Sequence, residues 1–271
     1  MLVVSFNTNG IRARQHQLEV LVRKHEPDII GIQESKVADE QFPIEAMQSL
    51  GYHAYFHGQK THYGVCILSK KPALNIQKGF KTDTQDAQKR LIVGDFETPN
   101  GGTLRIINGY FPQGENIKHD TKYPAKRKFY ADLSHYLESE NSANDPLLVM
   151  GDLNISATDL DIGIGEPNRV RWLKTGKTSF QPEEREWLQR LYDWGLVDSF
   201  REQHPDSNDQ FSWFDYRSRG FEDTPKRGLR IDAIMPTKSL MEACVETGID
   251  LEIRGLEKPS DHAPVWAKFN L

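Results

Sequence analysis

Several apolar runs of this chain end on, or carry, a side chain able to do chemistry. LVVSF (2–6) is followed by Asn7, DIIGIQ (28–33) by Glu34 and TLRIING (103–109) by Tyr110; PLLVMG (146–151) leads into Asp152, with Asn154 two residues on. LRIDAIM (229–235) carries Asp232 within it, and Asp261-His262 stands just before PVWAKF (264–269). Asp and Asn favour turns, so each strand end taken singly reads as a turn residue. An acid inside an apolar strand is different, because a buried charge without a partner is costly; Asp232 needs a cation or donor, and His262 is a candidate. Glu34, Asp152 and Asp261 are hard oxygen ligands, Asn7 and Asn154 are amides, and no His/Cys cluster accompanies them. That selection suits Mg²⁺ or Mn²⁺ rather than zinc. One His beside an Asp suits hydrogen bonding or proton handling. With Tyr110 added, the set suits hydrolysis of a phosphate ester, in which charge stabilisation and an activated water carry the reaction. The residue types alone leave the turn reading open beside it.

The elements that would position these groups are strands more than helices. Besides the runs above, YHAYFH (52–57), GVCILS (64–69) and LIVGDFE (91–97) read as strands. Leu18, Leu21, Val22 and His25 share a helical face that stops before Pro27, and Phe129, Leu133, Tyr136 and Leu137 form a second stripe. A third helix starts at Pro182, carries Glu183 and Glu184 at its positive end, buries Trp187, Leu188, Leu191 and Trp194, and stops at Gly195. These stripes read as core. Many strands with few helices between them predict an α/β fold of two sheets packed face to face with helices outside, rather than one doubly wound sheet. No linker, repeat or low-complexity tract divides the 271 residues, so one domain spanning 1–271 is expected.

Composition narrows the class. Hydrophobic residues make up 37% and charged residues 27%, with mean hydropathy −0.63, which predicts a soluble globule. No apolar stretch approaches the roughly 18 residues of a membrane span, and MLVVSFNTNG lacks the basic start of a signal peptide. The two cysteines, Cys66 and Cys244, argue against structural zinc and disulfides and for a reducing cytoplasm. The formal charge of −5 does not advertise nucleic acid, but three local runs are basic: 122–128, 169–177 and 216–230. Each reads either as a solvated face or as a phosphate-binding patch. The last one adjoins FSWFDYRSRGF, whose aromatics could form core or stack on bases. DLDIGIGEPN has glycines but no following Lys-Ser/Thr, so it is not an ATP loop.

SFNTNGIRA, GIQESK, HYGVCILSK, NGYFPQG, GDLNISATDLDIG, FSWFDYRSRGF, GLRIDAI and KPSDHAPVWA stand in order from residue 5 to 267. Together they resemble the exonuclease III family of DNA-repair nucleases, within the endonuclease/exonuclease/phosphatase superfamily. QES, GDLN and SDH alone would indicate only the superfamily; NGYFPQG, DLDIG and SWFDYRSRG are more specific. The resemblance implies a four-layered α/β sandwich, two packed mixed β-sheets flanked by helices. It implies Glu34 as principal Mg²⁺ ligand (Mn²⁺ the alternative), with Asn7 and Asp261 nearby. Asp152 would orient or deprotonate the attacking water, Asn154 would steady it or the phosphate, and Asp232 would pair with His262, which holds a phosphate oxygen. Tyr110 would contact the phosphate or assist the leaving oxygen. Gln113, Trp213, Phe214 and Arg217 would meet DNA, with Trp213 and Phe214 the most exposed.

The implied activities are 3′→5′ removal of nucleotides from double-stranded DNA, cleavage 5′ to abasic sites and clearing of blocked 3′ ends, with water as nucleophile. The expected partner is DNA, not a membrane, and a monomer is the default. A superfamily phosphatase acting on inositol or lipid phosphates, and a damaged-DNA-binding module without catalysis, are the rival readings. Two departures stand out: QESK where QETK is commoner, and an EDTPKRGLR stretch a few residues longer than expected, either a DNA-facing loop or a surface turn.

Overall fold

The β-branched runs become strands in a computed structural model that describes residues 1–271. In chain order they are β1 (Leu2–Asn7), β2 (Ile29–Gln33), β3 (His53–His57), β4 (Val65–Ser69), β5 (Asn75–Lys78), β6 (Leu91–Glu97), β7 (Thr103–Tyr110), β8 (Leu147–Asp152), β9 (Asp232–Pro236), β10 (Cys244–Ile249) and β11 (Val265–Phe269). The helices are α1 (Gln15–His25), α2 (Ile44–Ser49), α3 (Lys122–Glu140), α4 (Glu166–Thr175), α5 (Pro182–Trp194), α6 (Ser199–Gln203), α7 (Lys238–Met241) and α8 (Leu251–Arg254). One sheet has the order β10-β11-β1-β2-β4-β3 and the other β5-β6-β7-β8-β9; both are mixed, with β1/β2 and β7/β8 parallel.

Alternation sorts the side chains into layers. Val3, Ile29, Ile67, Ile106, Leu148, Met150 and Val265 fill the space between the sheets. Val4, Ile30, Ile32 and Leu68 point the other way and pack with Leu18 and Leu21 of α1. Val93, Ile107 and Val149 do the same against Phe129 and Leu133 of α3 and Trp187, Leu188 and Leu191 of α5. Helix, sheet, sheet and helix thus form the four expected layers. Each fully buried Val, Leu or Ile contributes roughly 1.5–3 kcal/mol.

Near one end this apolar filling gives way to a polar link. Gln33 Nε2 donates to Asn108 Oδ1 (2.6 Å) and Ser5 Oγ (3.1 Å), and Asn108 Nδ2 donates to the carbonyls of Ile32 (3.0 Å) and Cys66 (2.9 Å). Gly31 lets the sheets approach here, since a Cβ would lie 2.3 Å from Met150 Cε. Buried hydrogen bonds are directional where apolar contacts are not, so this link fixes one sheet against the other just before Glu34 and Tyr110.

Two strands escaped the sequence reading. β5 and β10 are edge strands with polar sequences, NIQK and CVETGI, that pack one face and show no apolar run. Asp232 opens β9 instead of lying within a strand, because Leu229 bridges to Trp213 and Ile162 and the chain joins the sheet only from Asp232. The basic run 169–177 is mostly α4, a helix the sequence reading did not mark. The long EDTPKRGLR stretch is a turn closed on itself by an Arg227–Asp223 ion pair and an Arg227 N–H bond to Gly220.

Candidate active site

Strand register brings the reactive groups to one level. Asn7 pairs with Gln33 at the end of β1 and β2, Tyr110 with Asp152 at the end of β7 and β8, and Asp152 with Asp232 at the start of antiparallel β9. Both sheets therefore deliver their polar ends to the same edge, and His262 comes in on the segment before β11. Ser260 Oγ donates to the Asn7 carbonyl (2.7 Å) and accepts from the His262 N–H (3.2 Å), fixing that segment to β1. Ser212 Oγ accepts from the backbone N–H groups of Ile231 and Asp232, at 3.0 Å each.

The edge opens into a cavity of about 320 Å³. At its floor, Asn7 Nδ2 donates to Glu34 Oε1 and to Asp152 Oδ2, both at 2.9 Å. His262 Nδ1 bonds Asp232 Oδ2 at 2.9 Å, while its Nε2 lies 3.7 Å from Asp152 Oδ2. Ligand atoms of Glu34, Asp152 and His262 lie within 4.8 Å of one another, a grouping whose carboxylates could hold a metal ion. Burial pushes the Asp152 carboxyl up to about 8, aided by Asp232 and Glu34 and opposed by His262. His262 loses basicity by burial, but Asp232 and Asp152 more than restore it and raise it to about 10, so the imidazole is a cation. Tyr110 is pushed well above the usual phenol range by burial and by the Glu34 and Asp152 charges, and stays neutral.

Backbone strain gathers at the same place. Glu34 and Asn154 have φ of 51° and 54°, the left-handed region that side chains seldom adopt and that concentrates at functional sites. Asn154 is held there by its N–H to Asp152 Oδ1 (3.0 Å) and its Nδ2 to the Phe111 carbonyl (2.9 Å). Gly151, with φ 144°, precedes them; a Cβ there would lie 1.9 Å from the Gly109 carbonyl oxygen.

The structure brings eleven of the twelve expected residues to this site. Glu34, Tyr110, Asp152, Asn154, Asp261 and His262 line the cavity, as do Gln113, Trp213 and Arg217 at its mouth. Asn7 and Asp232 lie just behind. The three gathered ligand groups do not include Asp261, whose oxygens accept from Asn9 Nδ2 (2.8 Å) and Trp213 Nε1 (3.0 Å). Phe214 is the correction: it is completely buried against Phe211, Phe221 and Arg254, with no surface to offer DNA. Its neighbour Trp213 takes the outward side.

The basic runs also sort themselves. In 122–128, Lys126 is fully buried against Glu184, and Lys122, Arg127 and Lys128 pair with Glu115, Glu183 and Asp132. Arg230 is buried between Asp161 and Asp198. Arg217 and Lys177 remain at the cavity, where Lys177 sits 3.6 Å from the Trp172 ring centroid.

Residues 4–262 match the endonuclease/exonuclease/phosphatase family model. The chain is 61% identical over 269 residues to exodeoxyribonuclease III of Haemophilus influenzae, covering 99% of this chain and all of that one. It belongs to the exonuclease III family. Solved structures of similar proteins include a 3′ phosphatase from Neisseria bound to a product DNA hairpin (34% identity, TM-score 0.90) and an AP endonuclease from Archaeoglobus fulgidus (31%, 0.90), each matched over 100% of both chains.

Two residues of this exonuclease III family site were not found from sequence. Arg90, just before β6, lies 4.4 Å from the Tyr63 ring centroid and 4.6 Å from that of Tyr110, clamping the phenol from one side. Asn9 accepts from Lys36 and holds Asp261. A signal for Arg90 existed: β6 runs antiparallel to β7, so its start lies at the edge where β7 ends.

Proposed function

We propose that this protein hydrolyses phosphodiester bonds of duplex DNA with Mg²⁺ or Mn²⁺. It removes nucleotides 3′→5′, cuts 5′ to abasic sites and clears phosphate from 3′ ends, as one domain, a monomer in the cytosol. The observation that carries this reading is the cavity itself. A carboxylate–imidazolium cluster forms its floor, and its walls combine Trp172, Trp213 and Leu229 with Lys177 and Arg217. That pairing of aromatic and cationic groups fits a nucleotide strand better than a small polar phosphate.

The donor set fits a hard cation: Glu34 and Asp152 offer oxygen, while His262 is committed to Asp232 and charged. Glu34 would hold it, with Asn7 and Asp261 beside it, and the ion would offset charge developing on the phosphate oxygens. Asp152, its pKa already raised towards working pH, orients the attacking water and takes its proton. The imidazolium of His262, oriented by Asp232, donates its Nε2–H to a phosphate oxygen. Asn154 steadies the water or the phosphate, and the neutral Tyr110 hydroxyl donates to the phosphate or the leaving oxygen. Water's oxygen bonds to phosphorus, the bond to O3′ breaks, the leaving oxygen takes up a proton to become the 3′-hydroxyl, and no enzyme-bound ester forms. Gln113, Trp213 and Arg217 contact the strand.

The test is a gel assay on a labelled duplex carrying one abasic-site analogue, with Mg²⁺, with chelator and with an intact duplex. Metal-dependent cutting 5′ to the lesion and a ladder from the 3′ end are expected. Binding without any cut would favour the binding module, and neither cut nor binding would favour a phosphatase of small substrates.

A further inference from the structure

Lys126 belongs to a run whose charges suit phosphate binding, yet its side chain is wholly inaccessible. Its Nζ lies 2.5 Å from Glu184 Oε1 and donates to the carbonyls of Asn154 (2.8 Å) and Gln113 (3.3 Å). One turn along α3, the buried Tyr130 hydroxyl donates to the Leu153 carbonyl (2.7 Å). Glu184 Oε2 accepts from the Ser179 and Gln181 N–H groups (2.8 Å each), and the Ser179 carbonyl accepts from Ser156 N–H (2.6 Å). Segments 113, 153–156 and 179–181 are thus tied to one buried charge pair.

We infer that Lys126, with Glu184 as its counter-charge, and Tyr130 are positioning residues that set the left-handed Asn154 turn and the Gln113 carbonyl at the reacting end of the strand. The inference rests on the nuclease reading above. Stability does not explain the pair, because a buried ion pair is commonly no better than well-packed apolar residues of the same volume. What apolar residues could not do is hold two carbonyls of site residues. Asn154 benefits from such holding, since its φ of 54° lies in a region that even Asn, the side chain that enters it most readily, occupies at some cost. Residues that position others contribute through geometry, and a shift of about 1 Å can cost about a hundredfold in rate.

The test compares the parent with Lys126→Met/Glu184→Gln and, independently, with Tyr130→Phe, which deletes one hydroxyl and keeps the packing. Thermal melts of each are followed by kcat and KM on a duplex with a recessed 3′ end at saturating Mg²⁺, well below the melting range. The expected result is a fall in kcat of at least about tenfold for the double variant and about threefold for Tyr130→Phe, with KM changed less than about threefold. Should the double variant not fold, Tyr130→Phe decides. Any folded variant with kcat within about twofold of the parent overturns the positioning role. A parent that cuts no DNA overturns the nuclease reading instead.

Discussion

Asp152 is 1% exposed, faces Glu34 and Asp232, and has His262 as its nearest cation. Its carboxyl sits at about 8 because burial and like charge outweigh that cation. A base must be ionised to work, so kcat/KM rises with pH up to that region and levels above it; bound Mg²⁺ pulls the limb to lower pH. A pH–rate series from 5.5 to 9.5 (roughly the span over which a general base is read) checks this, and a flat profile would remove Asp152 as the base. Trp213→Ala removes a stacking face worth about 1–3 kcal/mol per base, so Kd or KM for abasic duplex rises several-fold while the Mg²⁺ requirement stays. Unchanged DNA affinity would return Trp213 to a packing role. At this scale most of the site was legible, because polar residues ending apolar runs mark where a sheet stops. Phe214 was not: successive side chains of an extended segment face opposite ways, and nothing local said which faced outward. Lys126 was hidden for a related reason, since the acid that neutralises it stands 58 residues away.

Elements explain why those residues meet. Parallel β1/β2 and β7/β8 each place two strand ends side by side, and the Gln33–Asn108 link matches one pair to the other. The central strands and the three long helices were readable from period and caps; β5, β10 and α4 were not, because their sequences lack a continuous apolar face. A second buried network holds the approach to β9. Asp161 accepts from Arg230 Nε and Arg201 Nη2, both at 2.6 Å, and Arg230 also pairs with Asp198. Burial would raise the Asp161 carboxyl, but Arg230 and Arg201 hold it below its ordinary value. Its contribution is therefore complete above the unfolded value of 3.8 and is lost as pH falls through the lower folded one. Asp161→Asn leaves charge uncompensated and costs about 3 kcal/mol at pH 7. Denaturant melts should show that gap, narrowing in acid; equal stability at pH 7 would show the network to be dispensable.

The whole molecule is acidic, with a formal charge of −5, yet its cavity mouth carries Arg217 and Lys177 without carboxylate partners in ion pairs. Arg171, in the adjoining recess, is likewise unpaired. Global charge hid this in the sequence because it sums the whole surface, whereas the fold leaves these cations unpaired at one edge and pairs others, such as Lys126 and Arg230, with buried acids. DNA affinity should fall steeply with salt despite the net charge. With about four phosphates neutralised, log K against log [salt] has a slope near −3.6; a slope near zero would mean the mouth does not track the backbone. No helix is long and apolar enough to cross a membrane. The most direct test of the central claim, that one buried carboxylate cluster at the joined ends of two sheets cuts DNA by hydrolysis, sets Asp152→Asn beside the parent. Single-turnover cleavage of an abasic-site duplex is read in Mg²⁺, with Kd measured in parallel. The account predicts cleavage slowed by about 10³-fold or more with Kd nearly unchanged; near-parental cleavage would contradict it.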